Sequence, residues 1–142
     1  MPIVLVVDDE PQVRELLIRW LTADGYEMRE AESADAALAD MQIVPADIVL
    51  CDVRMPGHDG VWLTGEIRSL FPETAVVLIT GDRGVPPQVS MQSGVVDYLG
   101  KPFTRVEVVE AVQRAVHWHR HAVGQRDHTG VRAPLTKDWG GG

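Results

Sequence analysis

Ile3-Val4-Leu5-Val6-Val7-Asp8-Asp9-Glu10 is the stretch on which the reading of this chain turns. Five apolar residues in a row, four of them β-branched, suit a strand covered on both faces, as in parallel sheets. The run stops at three acids and Pro11, after which Val13, Leu16, Leu17, Trp20 and Leu21 recur at helical spacing up to Gly25. A buried strand that ends in carboxylates and hands over to an amphipathic helix is the first half of a βαβ unit. Its acids stand at the carboxyl end of the strand, where open α/β sheets bind their ligands.

The same phrase recurs down the chain. A short strand is expected over residues 26–31, then a helix capped by Ser33 that carries Ala36, Ala37, Leu38 and Met41. A third strand covers 47–51, a Pro/Gly loop 55–60 and a helix 61–70, with Val61, Ile67 and Leu70 among its apolar positions. A fourth strand covers 75–79. Pro86 or Pro87 suits the first turn of a short fourth helix that ends at Gly94. A fifth strand follows over 95–99, and Thr104 caps a last helix with Val106, Val109, Val112 and Val116 along one side. Five strands alternating with five helices predict an α/β fold, a doubly wound parallel sheet with helices on both faces. Residues 122–142 lack periodicity and end in three glycines, so they read as a flexible tail or linker stub after a domain over 1–121.

The totals narrow the function. With 45% apolar and 24% charged residues, the 142-residue chain has an ordinary globular composition. It holds no run of about 20 apolar residues and no basic-then-apolar leader at its start, which points to a cytoplasmic protein without a membrane role. The single cysteine, Cys51, suits a reducing compartment and reads as a packed thiol. The net charge of −8 is concentrated in residues 1–100, where 6 basic against 17 acidic side chains leave −11. A surface this acidic argues against direct nucleic-acid binding and suits a divalent cation.

The polar residues that follow each apolar strand carry the chemistry. Asp8, Asp9 and Glu10 follow the first, Asp52 the third, Thr80 the fourth and Lys101 the fifth. The fold gathers them at one edge of the sheet. Crowded carboxylates raise one another's pKa unless a cation neutralises them, and Mg²⁺ takes oxygen ligands of this kind. Lys101 offers a point charge for a phosphate oxygen and Thr80 a hydroxyl donor. The set suits a phosphoryl group carried on a carboxylate, with Asp52 the nucleophile.

Four pieces in this order resemble the receiver domain of bacterial two-component response regulators. They are Val6–Glu10, residues 52–60 (DVRMPGHDG), Ile79-Thr80-Gly81 and residues 98–103 (YLGKPF). The resemblance covers about residues 2–120. It implies a flavodoxin-like sheet in the order 2-1-3-4-5. It also implies Asp52 as phosphoacceptor, Asp9 as direct metal ligand, Asp8 as an acid acting on the metal largely through water, and the Arg54 backbone carbonyl as a further ligand. Thr80 resembles the switch hydroxyl, Tyr98 the aromatic switch and Lys101 the phosphate-pairing lysine, before a cis Lys101–Pro102 bond. A sensor histidine kinase is the implied donor partner. The implied output surface comprises the fourth helix, fifth strand and fifth helix. That surface could serve a downstream effector domain or protein, or a homodimer.

Some residues depart from the pattern. The span from Thr80 to Lys101 is about one residue short and contains Pro86-Pro87, so the fourth helix is expected to be short or partly unwound. Arg54 and Asp82 flank the site with opposite charges. His117 and His121 share a helix face at metal-ligand spacing but lack an evident third ligand, so a solvated helix end is expected. Two other functions compete. A haloacid-dehalogenase-like phosphatase needs a second acid two residues after its nucleophile, where Arg54 stands here, so the chain is read as catalysing only its own phosphorylation and dephosphorylation. A phosphorylation-independent pseudo-receiver would not need the complete acid set.

Overall fold

The computed structural model describes residues 1–81 and 94–125. Five parallel strands form one sheet: β1 (Ile3–Val7), β2 (Glu27–Ala31), β3 (Ile48–Asp52), β4 (Ala75–Thr80) and β5 (Val95–Gly100). Their order is β2-β1-β3-β4-β5, as expected. Four helices lie among the described residues: α1 (Pro11–Ala23), α2 (Ala34–Ile43), α3 (Gly60–Leu70) and α4 (Arg105–Val123). The helix expected between the fourth and fifth strands, with Asp82, Pro86 and Pro87, lies outside the described residues. The tail expected from residue 122 does so from 126 onward. Helix α4 runs two residues past the expected boundary because Ala122 is still buried.

Alternation along the strands divides the core. Leu5, Val7, Val49, Cys51, Val76 and Leu78 face α2 and α3, where Ala37, Met41, Leu63 and Ile67 meet them. Val4, Val6, Ile48, Leu50, Val77 and Ile79 face α1 and α4, where Leu17, Leu21, Val108 and Val112 meet them. With both faces covered, β1, β3 and β4 are almost wholly apolar, which is why their sequences read as continuous runs. In β5, Val76 pairs with Val95 but Val77 pairs with Asp97, so Val96 is an extra residue in the strand. This bulge keeps Val95 and Tyr98 on one face although they are three apart.

The buried stripe of α4 differs from the sequence expectation. Val108, Ala111, Val112, Ala115 and Val116 face the sheet, while Val106 is exposed and Val109 half-buried. Residues 106 and 108 lie about 200° apart on a helix, so they cannot share a face. The alanines that let the helix approach the sheet carry the stripe as much as the valines. Leu70, at the end of α3, is likewise exposed.

The caps agree with the sequence. The Ser33 hydroxyl accepts from Ala36 N, and Thr104 forms a reciprocal capping box with Glu107. Gly25 turns the chain out of α1 with φ +94°. Gly60, the first residue of α3, has another role. A Cβ there would stand 2.9 Å from Val53 Cα and closer still to the Asp52 carbonyl oxygen. Its N–H donates to Val53 O at 2.9 Å, so α3 starts against the backbone that carries Asp52. Gly60→Ala should therefore lower the unfolding free energy by about 1–3 kcal/mol, the usual cost of overpacking, in urea titration. Unchanged stability would show that this contact relaxes freely.

Candidate functional site

The carboxyl ends of all five strands are tied by hydrogen bonds. Asp8 N donates to Ala31 O, Val53 N to Ile79 O and Lys101 N to Thr80 O. These bonds fix the residues that follow β1, β3 and β5 relative to the ends of β2 and β4. Asp8, Asp9 and Asp52 thus come together, each offering a carboxylate oxygen, with all three oxygens within 4.8 Å of one another. Asp8 and Asp52 are buried and Asp9 is exposed, so the cluster opens to solvent on the Asp9 side.

Lys101 reaches into this cluster from the end of β5. Its Nζ donates to Asp52 Oδ2 at 2.9 Å and lies 3.5 Å from Asp8 Oδ2 and 3.4 Å from Glu10 Oε1. The other Asp52 oxygen, Oδ1, accepts from Arg54 N at 3.0 Å. Asp8 Oδ1 accepts from Glu10 N at 2.9 Å. Asp8 Oδ2 is buried and accepts no hydrogen bond. Burial pushes the Asp8 carboxyl up to about 6. The Glu10 N–H opposes that rise, the Asp52 charge adds to it, and Lys101 again opposes it. For Lys101, burial works against the ammonium, but the hydrogen bond and charge of Asp52, with Asp8 and Glu10, overcome it and hold the group above its ordinary range.

A divalent cation fits this donor set. The ligands are hard oxygens, one of them is a buried carboxylate oxygen without a hydrogen bond, and the exposed side leaves room for water or phosphate oxygens. Among the described residues this trio is the one such gathering of His, Cys, Asp or Glu side chains. His117 and His121 are both exposed on α4, and the trio above does not include them.

The remaining expected residues fall as follows. Thr80 ends β4, is buried, and pairs in register with Gly100 beside Lys101. Tyr98 is half-buried against the α2–α3 side of the core, and its hydroxyl is buried without a hydrogen-bond partner. The Lys101–Pro102 bond is cis. Cys51 is a packed thiol that burial pushes above its ordinary pKa. His58 lies before α3, stacked on Trp62 at 3.8 Å and 2.9 Å from Asp35 Oδ1.

Two contacts escaped the sequence reading. Glu10 shares Lys101 with Asp52, and Arg14 donates to the Asp8 carbonyl at 2.7 Å while pairing with Glu30. Arg14 stands four residues after Glu10, one helical turn on. That spacing was a signal, but only the fold shows that Arg14 turns back to brace the acid loop.

Asp8 predicts a pH dependence. An acid raised on folding adds stability below its unfolded value of 3.8 and loses it as pH rises through about 6. In chelator, Asp8→Asn should exceed the wild type in stability at neutral pH by on the order of 2–3 kcal/mol, with the gain vanishing near pH 4. Thermal unfolding across pH checks this, and a neutral-pH loss in the variant would contradict it.

The comparisons with known proteins agree with this geometry. Residues 4–113 match the family described as the response regulator receiver domain. The chain is 39% identical over 128 residues to the transcriptional regulatory protein AruR of Pseudomonas aeruginosa, covering 86% of this chain and 52% of that protein. It is 36% identical over 135 residues to the DNA-binding transcriptional regulator NtrC of Salmonella typhimurium, covering 94% of this chain and 29% of that protein. The chain thus spans about half, or less, of the length of these relatives. Among solved structures, the response regulator TrrA of Thermotoga maritima, in complex with Mg²⁺-BeF, superposes with a TM-score of 0.74 at 34% identity. That match covers 81% of this chain and 99% of the other. The strand order, the acids at the strand ends and a family match over most of the chain lead to one conclusion: this chain belongs to the response regulator receiver domain family.

Proposed function

We propose that Asp52 is the phosphoacceptor of this receiver and that a sensor histidine kinase is its donor. The contact that carries this reading is the 2.9 Å bond from Lys101 Nζ to Asp52 Oδ2, made within a cluster of two further carboxylates. A carboxylate used only for structure would gain nothing from acidic neighbours that repel it. A phosphoacceptor needs them to hold a cation beside the incoming group.

The step is an in-line displacement. An Asp52 carboxylate oxygen attacks the phosphorus of a phosphohistidine, a P–O bond forms, and the P–N bond breaks with its electron pair leaving on the imidazole. Lys101 pairs with an oxygen of the transferred group. Arg54 N holds one Asp52 oxygen, which fixes the carboxylate's rotation. Asp8, Asp9, Asp52 and the Arg54 backbone carbonyl would hold Mg²⁺, which when bound draws charge off the transferring oxygens.

The response begins at Thr80. The hydroxyl moves toward the new phosphoryl oxygens, and Tyr98, two strand residues from Gly100, takes the space released. Its hydroxyl is already buried without a hydrogen bond, so an alternative position costs it no partner. The result is a shift between two populated states that alters the surface around β5 and α4. That surface is the candidate site for an effector domain, an effector protein or a second copy. Several relatives are transcriptional regulators by name, so a downstream transcriptional output is the best-supported use. No helix among the described residues is long and apolar enough to cross a membrane.

Incubation with a small-molecule phosphodonor in Mg²⁺ should add one phosphoryl group to the wild type and none to Asp52→Asn, read by intact-protein mass spectrometry. Lys101→Ala should slow the reaction by about 100-fold, the scale of losing one aligned electrostatic contact. Equal labelling of Asp52→Asn would move the acceptor elsewhere. An unlabelled wild type would favour a phosphorylation-independent module.

A further inference from the structure

Arg14, at the end of the first turn of α1, is tied to the acid loop at two points. Its Nη1 donates to the Asp8 carbonyl at 2.7 Å, and its backbone N donates to the Glu10 carbonyl at 3.2 Å. Its Nε donates to Oε1 of Glu30, on β2, at 2.8 Å. Glu30 comes one residue before Ala31, whose carbonyl accepts from Asp8 N. The Arg14 side chain is mostly covered, at 14% exposure, whereas that of Glu30 is at 53%. An ion pair so open to water contributes little stability by itself. Its effect is to hold the planar guanidinium so that Nη1 stays aimed at the Asp8 carbonyl.

The Asp8 carbonyl belongs to the planar peptide unit that enters Asp9. The unit that leaves Asp9 carries the Glu10 N–H, which donates to Asp8 Oδ1 at 2.9 Å. Both peptide planes beside the Asp9 Cα are therefore held, one by Arg14 and the other by the Asp8 carboxylate. Only φ and ψ of Asp9 relate these two planes, so fixing the planes fixes the direction in which the Asp9 side chain leaves the backbone. Asp9 is exposed at the rim of the cluster, so core packing does not aim it.

We propose that Arg14 is a positioning residue for the cation: by holding the Asp8 carbonyl it presents the Asp9 carboxylate to a divalent ion shared with Asp8 and Asp52. The proposal rests on the reading of these three acids as a cation site. Arg14 acts through the backbone and not through its charge, which Glu30 offsets. The two routes have opposite signs. A positive charge beside the cluster repels a cation, so Coulomb's law alone makes removal of Arg14 tighten binding. Loss of the bond to the Asp8 carbonyl frees the Asp9 backbone and weakens it.

Titration of the full chain with Mg²⁺, followed by NMR at fixed ionic strength, separates the two. Arg14→Ala should raise the Mg²⁺ dissociation constant about tenfold, the lower end of what losing an orienting partner costs a metal site. Arg14→Lys keeps a donor for the Asp8 carbonyl without the rigid fork and should recover part of the affinity. In an Asp9→Asn background, Arg14→Ala should add less than about twofold, because the carboxylate it aims has gone. Should Arg14→Ala fail to fold in chelator, Arg14→Lys carries the test through a smaller rise that is likewise lost with Asp9→Asn. An unchanged or tighter dissociation constant in Arg14→Ala, or an equal loss with and without the Asp9 carboxylate, would overturn the proposal and leave Asp52 as acceptor. A wild type that binds Mg²⁺ but takes up no phosphoryl group would overturn the acceptor reading and leave the role of Arg14 standing. A wild type that binds no Mg²⁺ would remove both.

Discussion

Like charge packed at one edge of a sheet is the constraint from which the rest of this molecule follows. Two buried carboxylates and a third at the rim would repel one another and, in chelator, weaken the fold. Lys101 offsets part of this by standing within 3.5 Å of Asp52, Asp8 and Glu10 together. Burial still holds Asp8 near 6, so the site remains short of positive charge. That deficit is what a bound cation would relieve, and it couples the occupancy of the site to the stability of the domain.

Holding such a cluster takes a rigid frame, and the parallel sheet supplies it. Strands buried on both faces leave only their ends for polar chemistry. The hydrogen bonds that join those ends run through the backbone of Asp8, Val53, Thr80 and Lys101, so the functional side chains inherit the sheet's positions. Gly60 extends the same logic, since α3 begins so close to Asp52 that no side chain fits between them. The bulge at Val96 sets the far side by keeping Tyr98 on the core face beside β4.

Much of this was legible in the sequence because each element announces itself locally. The apolar runs mark the strands, and the acids, threonine and lysine that end them mark the candidate site. Strand order and the expected metal ligands follow from the family resemblance rather than from spacing. The buried stripe of α4 is not legible from its valines alone, because Val106 is exposed and Val109 half-buried while the small Ala111 and Ala115 lie buried against the sheet. The contacts of Arg14 with Asp8 and Glu30 were not readable, since they join residues that only the fold makes neighbours.

The central claim is that one cluster serves both cation and acceptor. NMR titration with beryllofluoride and Mg²⁺ tests it most directly, because this mimic of a phosphoryl group assembles only on a carboxylate beside a bound cation. The account predicts saturable shifts at Asp8, Asp9, Asp52, Thr80 and Lys101, absent when Mg²⁺ is omitted. Shifts confined to other parts of the chain, or none at saturating Mg²⁺, would contradict it.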